Sequence, residues 1–228
     1  MTLDRGRRAQ IEARLSAGDQ TRVNLVETAE RLFALHGIEA ISMRRIGEEA
    51  GCANNSVVKY HFGDKATIVE AVYRHRRPWL RQRRQALLQR AQERGALTVR
   101  SLIEVILVPL TELKDAEGRH MYARFLWQLR QPDLGGNPPF ELLLLTRRTD
   151  GVSRHLRMLL PHLPDALFDE RLSSLVQMFI HRLITQDSMP DIPARQRELT
   201  HRDAFGMMAL ALAFPPDGEL LDMLGENT

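Results

Sequence analysis

Apolar residues recur along this chain at helical rather than strand spacing. Between Thr21 and His36, the residues Leu25, Val26, Ala29, Leu32 and Phe33 fall on one helical face, and Gly37 stands where a C-terminal cap belongs. Ser42 has the character of an N-cap, with Met43, Arg44 and Arg45 in the turn after it. Ile41 and Ile46 flank that cap at the spacing of a hydrophobic staple, which fixes the entry angle of the chain. The apolar side returns at Ala50, and Gly51 supplies the backbone freedom of a sharp helix stop. A second short helix is predicted from Asn54 or Asn55 to about Tyr60, with Asn54, Asn55, Ser56 and Lys59 on a polar face beside Val57 and Val58. Gly63-Asp64-Lys65 reads as a new helix start, capped by Asp64, buried through Ile68, Val69, Val72 and Tyr73, and limited by Pro78.

The remainder continues in the same style. A basic run from Arg81 to Arg94 suits a helix. Leu102, Ile103, Ile106, Leu107, Leu110 and Leu113 mark another, with a kink expected at Pro109. A third is predicted from about Gly118 to Arg130, and residues 131–139, QPDLGGNPP, form a loop by composition. Helical pattern resumes from Phe140 to Leu160. From Asp165 to Ile184 the apolar face is too wide for a lone surface helix and calls for extensive packing. Thr200 is the expected cap of a last helix through Phe205, Met208, Ala209 and Leu212, ended by Pro215 and Pro216. The predicted fold class is all-α.

Composition narrows the reading. The 228 residues are 43% hydrophobic and 27% charged, as expected of an ordinary soluble protein with a sizeable core. One cysteine, Cys52, excludes an internal disulfide and a cysteine-based metal cluster, and a reducing, cytoplasmic setting fits best. No apolar run approaches the roughly 20 residues of a membrane helix, so no membrane partner is expected. Residues 1–84 hold 16 Lys/Arg against 10 Asp/Glu, a net of +6, whereas residues 85–228 hold 16 against 19, a net of −3. The basic part therefore contains the two short helices. Residues 1–20 carry Arg5, Arg7, Arg8 and Arg14 and read as a basic flexible arm able to follow a phosphate backbone.

Two short helices meeting at a glycine turn have the form of a helix-turn-helix, whose second helix enters the DNA major groove. On local pattern alone, an ordinary helical hairpin with a solvated face accounts for the same residues nearly as well. Order and spacing add more. TRVNLVETAERLFALHGIEAISMRRIGEEAG followed by YHFGDKATIVEAV resembles the N-terminal DNA-binding domain of the tetracycline-repressor (TetR) family of bacterial regulators, over about residues 20–75. The LF-x-x-x-G helix end, the S-x-R-x-I-G-x-x-A-G helix and the HF-x-[SD]-K step occur in the family's order. One departure lies between them: CANNSVVKY separates Gly51 from His61, one residue more than most members have.

The resemblance implies three regions: the arm at 1–20, a three-helix helix-turn-helix domain at 21–77, and a larger helical effector-binding and dimerisation domain at 78–228. It implies backbone contacts from Ser42, Arg44, Tyr60, His61 and Lys65, with Arg45 beside them, and base reading from Asn54, Asn55, Ser56 and Lys59. Aligned from the left, Asn54 and Asn55 take the base-reading positions. Aligned from the right, Lys59 falls where an aromatic phosphate contact is usual, with Tyr60 next to it. The implied partners are a double-stranded DNA operator, a small hydrophobic or aromatic effector and a second copy of the chain. That copy would be held through the helices Asp165–Ile184 and Thr200–Phe214.

For the effector, Met121, Tyr122, Phe125, Trp127 and Arg130, with His120, gather aromatic rings, sulfur and polar handles. A helical stripe of such residues is more often plain core than the lining of a pocket. Met158, Met178 and His181 are weaker candidates. Phosphate-loop, nucleophile-elbow and zinc-protease motifs are all missing, so neither an enzyme, a metal site nor a cofactor is expected. The expected function is a sequence-specific transcriptional regulator, a repressor released by its effector. The alternative is a helical ligand-binding protein or enzyme with a vestigial helix-turn-helix.

Overall fold

The computed structural model describes residues 17–52, 56–129, 151–189 and 191–219. Among them every regular element is a helix: α1 Ala17–His36, α2 Met43–Glu49, α3 Ser56–Phe62, α4 Lys65–Glu93, α5 Val99–Glu112, α6 Met121–Gln128, α7 Val152–Leu159, α8 Asp165–Asp187 and α9 Ala194–Ala213. The described residues fall into two compact units, one holding those at 17–80 and 110–129 and the other those at 81–109 and 151–219.

The first unit is built on α1. Its stripe of Leu25, Val26, Ala29, Leu32 and Phe33 is almost wholly buried, each large side chain contributing about 1.5–3 kcal/mol by leaving water. α6 packs on this stripe. Phe33 and Phe125 stack with ring centroids 6.3 Å apart, and the Tyr122 hydroxyl donates to the Tyr73 carbonyl at 3.2 Å. The segment 121–128, placed with the second domain on sequence grounds, therefore groups with the N-terminal helices. A fork-to-fork pair, buried at Glu30 and half-buried at Arg76, ties α4 to α1: Arg76 Nε and Nη2 donate to Glu30 Oε2 and Oε1 at 2.8 and 3.1 Å. Burial disfavours the Arg76 charge, but Glu30, with Glu27 behind it, outweighs that and holds the guanidinium above its ordinary pKa.

Three expectations need correction. Pro78 does not limit its helix, because α4 runs on to Glu93 and absorbs the predicted 81–94 helix. One lost hydrogen bond and the clash of the proline ring cost about 3 kcal/mol. Burial of Val72 and Tyr73 before it and Leu80 after it offsets this. Thr200 does not cap the last helix, which begins at Ala194 after Pro193. Pro193, at φ −58°, is preset for a helix start and accepts from Arg197 N at 3.0 Å, while the Thr200 hydroxyl donates back to the Arg197 carbonyl at 2.9 Å. Finally, residues 17–20 of the expected arm are helical; residues 1–16, like the loop 131–139 and residues 140–150 of the predicted Phe140–Leu160 helix, lie outside the described residues.

In the second unit α8 and α9 pair. Phe168, Leu172, Val176, Phe179, Ile180 and Leu183 of α8 are buried, as are Phe205, Met208 and Leu212 of α9. Phe179 and Phe205 lie 5.2 Å apart, His201 Nε2 is 2.6 Å from Gln186 Oε1, and Arg182 Nη2 donates to the Thr200 carbonyl at 3.2 Å.

Candidate nucleic-acid interface

Ser42 takes an extended conformation (φ −86°, ψ 154°) and its hydroxyl accepts from Arg45 N at 3.1 Å, so the predicted cap forms. Ile41 and Ile46 on either side are fully buried, as a staple requires. α2 stops at Ala50, and Gly51 enters the left-handed region at φ 73°. Gly51 N then donates to Glu48 O at 3.1 Å and Cys52 N to Gly47 O at 2.9 Å, which uses carbonyls that the helix end would leave open.

α3 is anchored by Val58 and Phe62, both buried, so Ser56, Lys59 and Tyr60 are left on the exposed side. Tyr60 is 85% exposed, unusual for so large an apolar ring, and His61 is half-buried with its ring edge-on to Tyr60 at 5.2 Å. α2 and α3 approach closely. A Cβ on Gly47 would stand 3.1 Å from Val58 Cγ2. Asn54 and Asn55 lie outside the described residues, and the described helix begins at Ser56.

Gly63, at φ 71°, closes α3 with its N–H on Lys59 O at 2.8 Å, and Asp64 opens α4 by accepting from Thr67 N at 2.7 Å. That backbone hydrogen bond from Thr67 holds the Asp64 carboxyl below its usual pKa. The carboxylate thus occupies the positive end of α4. Lys65 Nζ donates to the Glu39 carbonyl at 3.0 Å and stands 3.6 Å from the Glu39 carboxylate. Arg44 is paired with Glu48 at 2.7 Å, and Arg45 Nη2 lies 3.5 Å from His36 Nε2. Ser42, Arg44 and Arg45 are all exposed along α2.

Several supporting residues have no local signature. Asn24 of α1 donates to the Ala50 carbonyl at 2.9 Å, and Arg22 places its guanidinium 5.0 Å from the centre of the Phe62 ring. Arg31 pairs with Glu49 at 3.4 Å. α1 therefore grips the end of α2 at Ala50 and the end of α3 at Phe62. These partners are 18 to 40 residues apart, beyond any pattern read within one helix.

The residues expected to line an effector site are placed differently. Met121, Tyr122 and Phe125 are buried in the first unit's core, Trp127 is half-buried, and Arg130 lies outside the described residues. His120 is buried at the start of α6, whereas Met158, Met178 and His181 are exposed. Among the described residues no cluster of His, Cys, Asp or Glu is arranged to hold a metal, and no helix is long and apolar enough to cross a membrane.

No curated protein matches the chain. Residues 25–72 match the model of bacterial regulatory proteins of the tetR family, and this span holds most of α1, all of α2 and α3 and the start of α4. With a capped α2, a glycine turn and an exposed α3 inside the matched span, residues 25–72 form a tetR-type helix-turn-helix domain, the DNA-binding part of a transcription regulator.

Proposed function

We propose that the protein is a homodimeric repressor that reads an operator through α3 and is released by a small hydrophobic or aromatic effector. The observation that carries this is the outward set Ser56, Lys59 and Tyr60 on a helix pinned by Val58 and Phe62. Hydroxyl and ammonium groups suit base edges and phosphates, and an exposed tyrosine supplies a phosphate donor. Asn54 and Asn55, just before the described start of α3, are assigned to base reading, and Ser42, Arg44, Arg45, His61 and Lys65 to the phosphate backbone.

A second copy gives two reading helices a fixed separation, and successive major grooves are about 34–36 Å apart. The proposed contact uses α8 and α9, where Met178, Leu199, Met207, Leu210 and Phe214 are between 53% and 75% exposed. The four residues from Leu199 to Phe214 lie on one side of α9 and its end, which favours burial against a copy of itself. Effector action is assigned to α6. Because Phe125 and Tyr122 pack on Phe33 and against the Tyr73 carbonyl, a displacement of α6 reaches α1 and, through Asn24 and Arg22, the ends of α2 and α3.

Selection of genomic fragments by the full-length protein tests the reading. Enrichment of a short inverted repeat is expected. Recovery of no fragment above background in low salt would leave the helix-turn-helix without its proposed use.

A further inference from the structure

The segment from Gly37 to Lys65 contains four Lys/Arg and four Asp/Glu, a net charge of zero within a half of the chain that is otherwise strongly basic. The balance is local as well as numerical. Lys65 Nζ donates to the Glu39 main-chain carbonyl at 3.0 Å and lies 3.6 Å from Glu39 Oε2, and Arg44 is held by Glu48 at 2.7 Å. We propose that the Glu39 carboxylate is a built-in competitor of DNA phosphate for Lys65, which sets how strongly this surface holds DNA irrespective of sequence. The inference rests on the reading that Lys65 faces the DNA backbone.

An exposed ion pair of this kind contributes little to stability, and the Glu39 side chain is 62% exposed. The carboxylate is not needed to fasten Lys65, since the Glu39 carbonyl already does so. What the carboxylate does is stand beside the remaining ammonium donors, where a phosphate oxygen must approach. A phosphate that binds Lys65 is then brought within a few ångströms of a like charge. Binding away from the operator depends almost wholly on such electrostatic contacts, so it is weakened with nothing to compensate. At the operator, base contacts from α3 carry the complex through the same loss.

Glu39→Gln separates the two roles, because it keeps the main-chain acceptor and removes only the charge. Binding to a random-sequence duplex is measured by fluorescence anisotropy for the full-length parent, Glu39→Gln, Lys65→Met and the double variant. Glu39→Gln is expected to bind about fivefold more tightly at low salt, and this gain is expected to vanish in the Lys65→Met background. Glu39→Gln alone gives a second readout that needs no Lys65 variant: its salt dependence steepens by up to about one released ion. Unchanged affinity and salt slope in Glu39→Gln, or a gain that survives whole in Lys65→Met, would overturn the proposal while leaving DNA binding intact. Failure of the parent to bind any duplex would instead remove the DNA-facing reading on which it rests.

Discussion

Phe33 of α1 and Phe125 of α6 stack with centroids 6.3 Å apart and planes inclined by 25°, both rings fully buried. This contact joins a helix of the matched family domain to one that lies well beyond it in sequence. Phe125→Ala removes a ring from a site that neighbouring helices can only partly refill, and a loss of about 3–5 kcal/mol in unfolding free energy is expected. Denaturant titration checks this. A loss below about 1 kcal/mol would mean that α6 does not pack on α1.

Glu30 is 5% exposed and accepts two hydrogen bonds from Arg76. Glu30→Ala strands the half-buried guanidinium, whose other carboxylate neighbour, Glu27, is 3.9 Å away. The expected cost is about 3–5 kcal/mol, whereas replacing both partners together, Glu30→Leu with Arg76→Met, is expected to cost much less. Unfolding free energies of the parent and of these two variants decide it.

Gly47→Ala sets two terms against each other. Alanine favours a helix by up to about 1 kcal/mol over glycine, but its Cβ would meet Val58 Cγ2 at 3.1 Å. Val58 is fully buried and stiff at χ1, so the accommodation falls on the separation of α2 and α3. Stability is expected to change by less than about 2 kcal/mol while operator affinity falls about tenfold. Thermal unfolding and a binding titration of the same sample separate the two effects.

Leu210 is 75% exposed on α9. If it is buried against a second copy, Leu210→Glu places a charge at the contact from each side, and a monomer is expected in sedimentation velocity at concentrations where the parent is a dimer. An unchanged sedimentation coefficient would move the dimer contact elsewhere.

What was legible in the sequence was local. The Ser42 cap, the Ile41 and Ile46 staple, the Gly51 stop and the Asp64 helix start each involve residues within a few positions of one another, and each forms as read. The burial of α8 followed from the width of its apolar face. Pro78 was misleading because a propensity of a few kcal/mol is outweighed by packing on both sides of it, and packing is a property of the folded chain. Met121, Tyr122 and Phe125 show the same limit: helical spacing marks them as inward, but not which helix they face. Lys65 to Glu39 and Asn24 to Ala50, both 26 residues apart, have no signature below the tertiary level.

The central claim is that the outward face of α3 reads a DNA sequence. It is tested most directly by titrating the protein with the selected genomic fragment and with a scrambled duplex of equal length, across a range of salt concentrations. The fragment is expected to bind at least about a thousandfold more tightly than the scrambled duplex, with both affinities falling as salt rises. Equal affinity for the two duplexes would contradict the account.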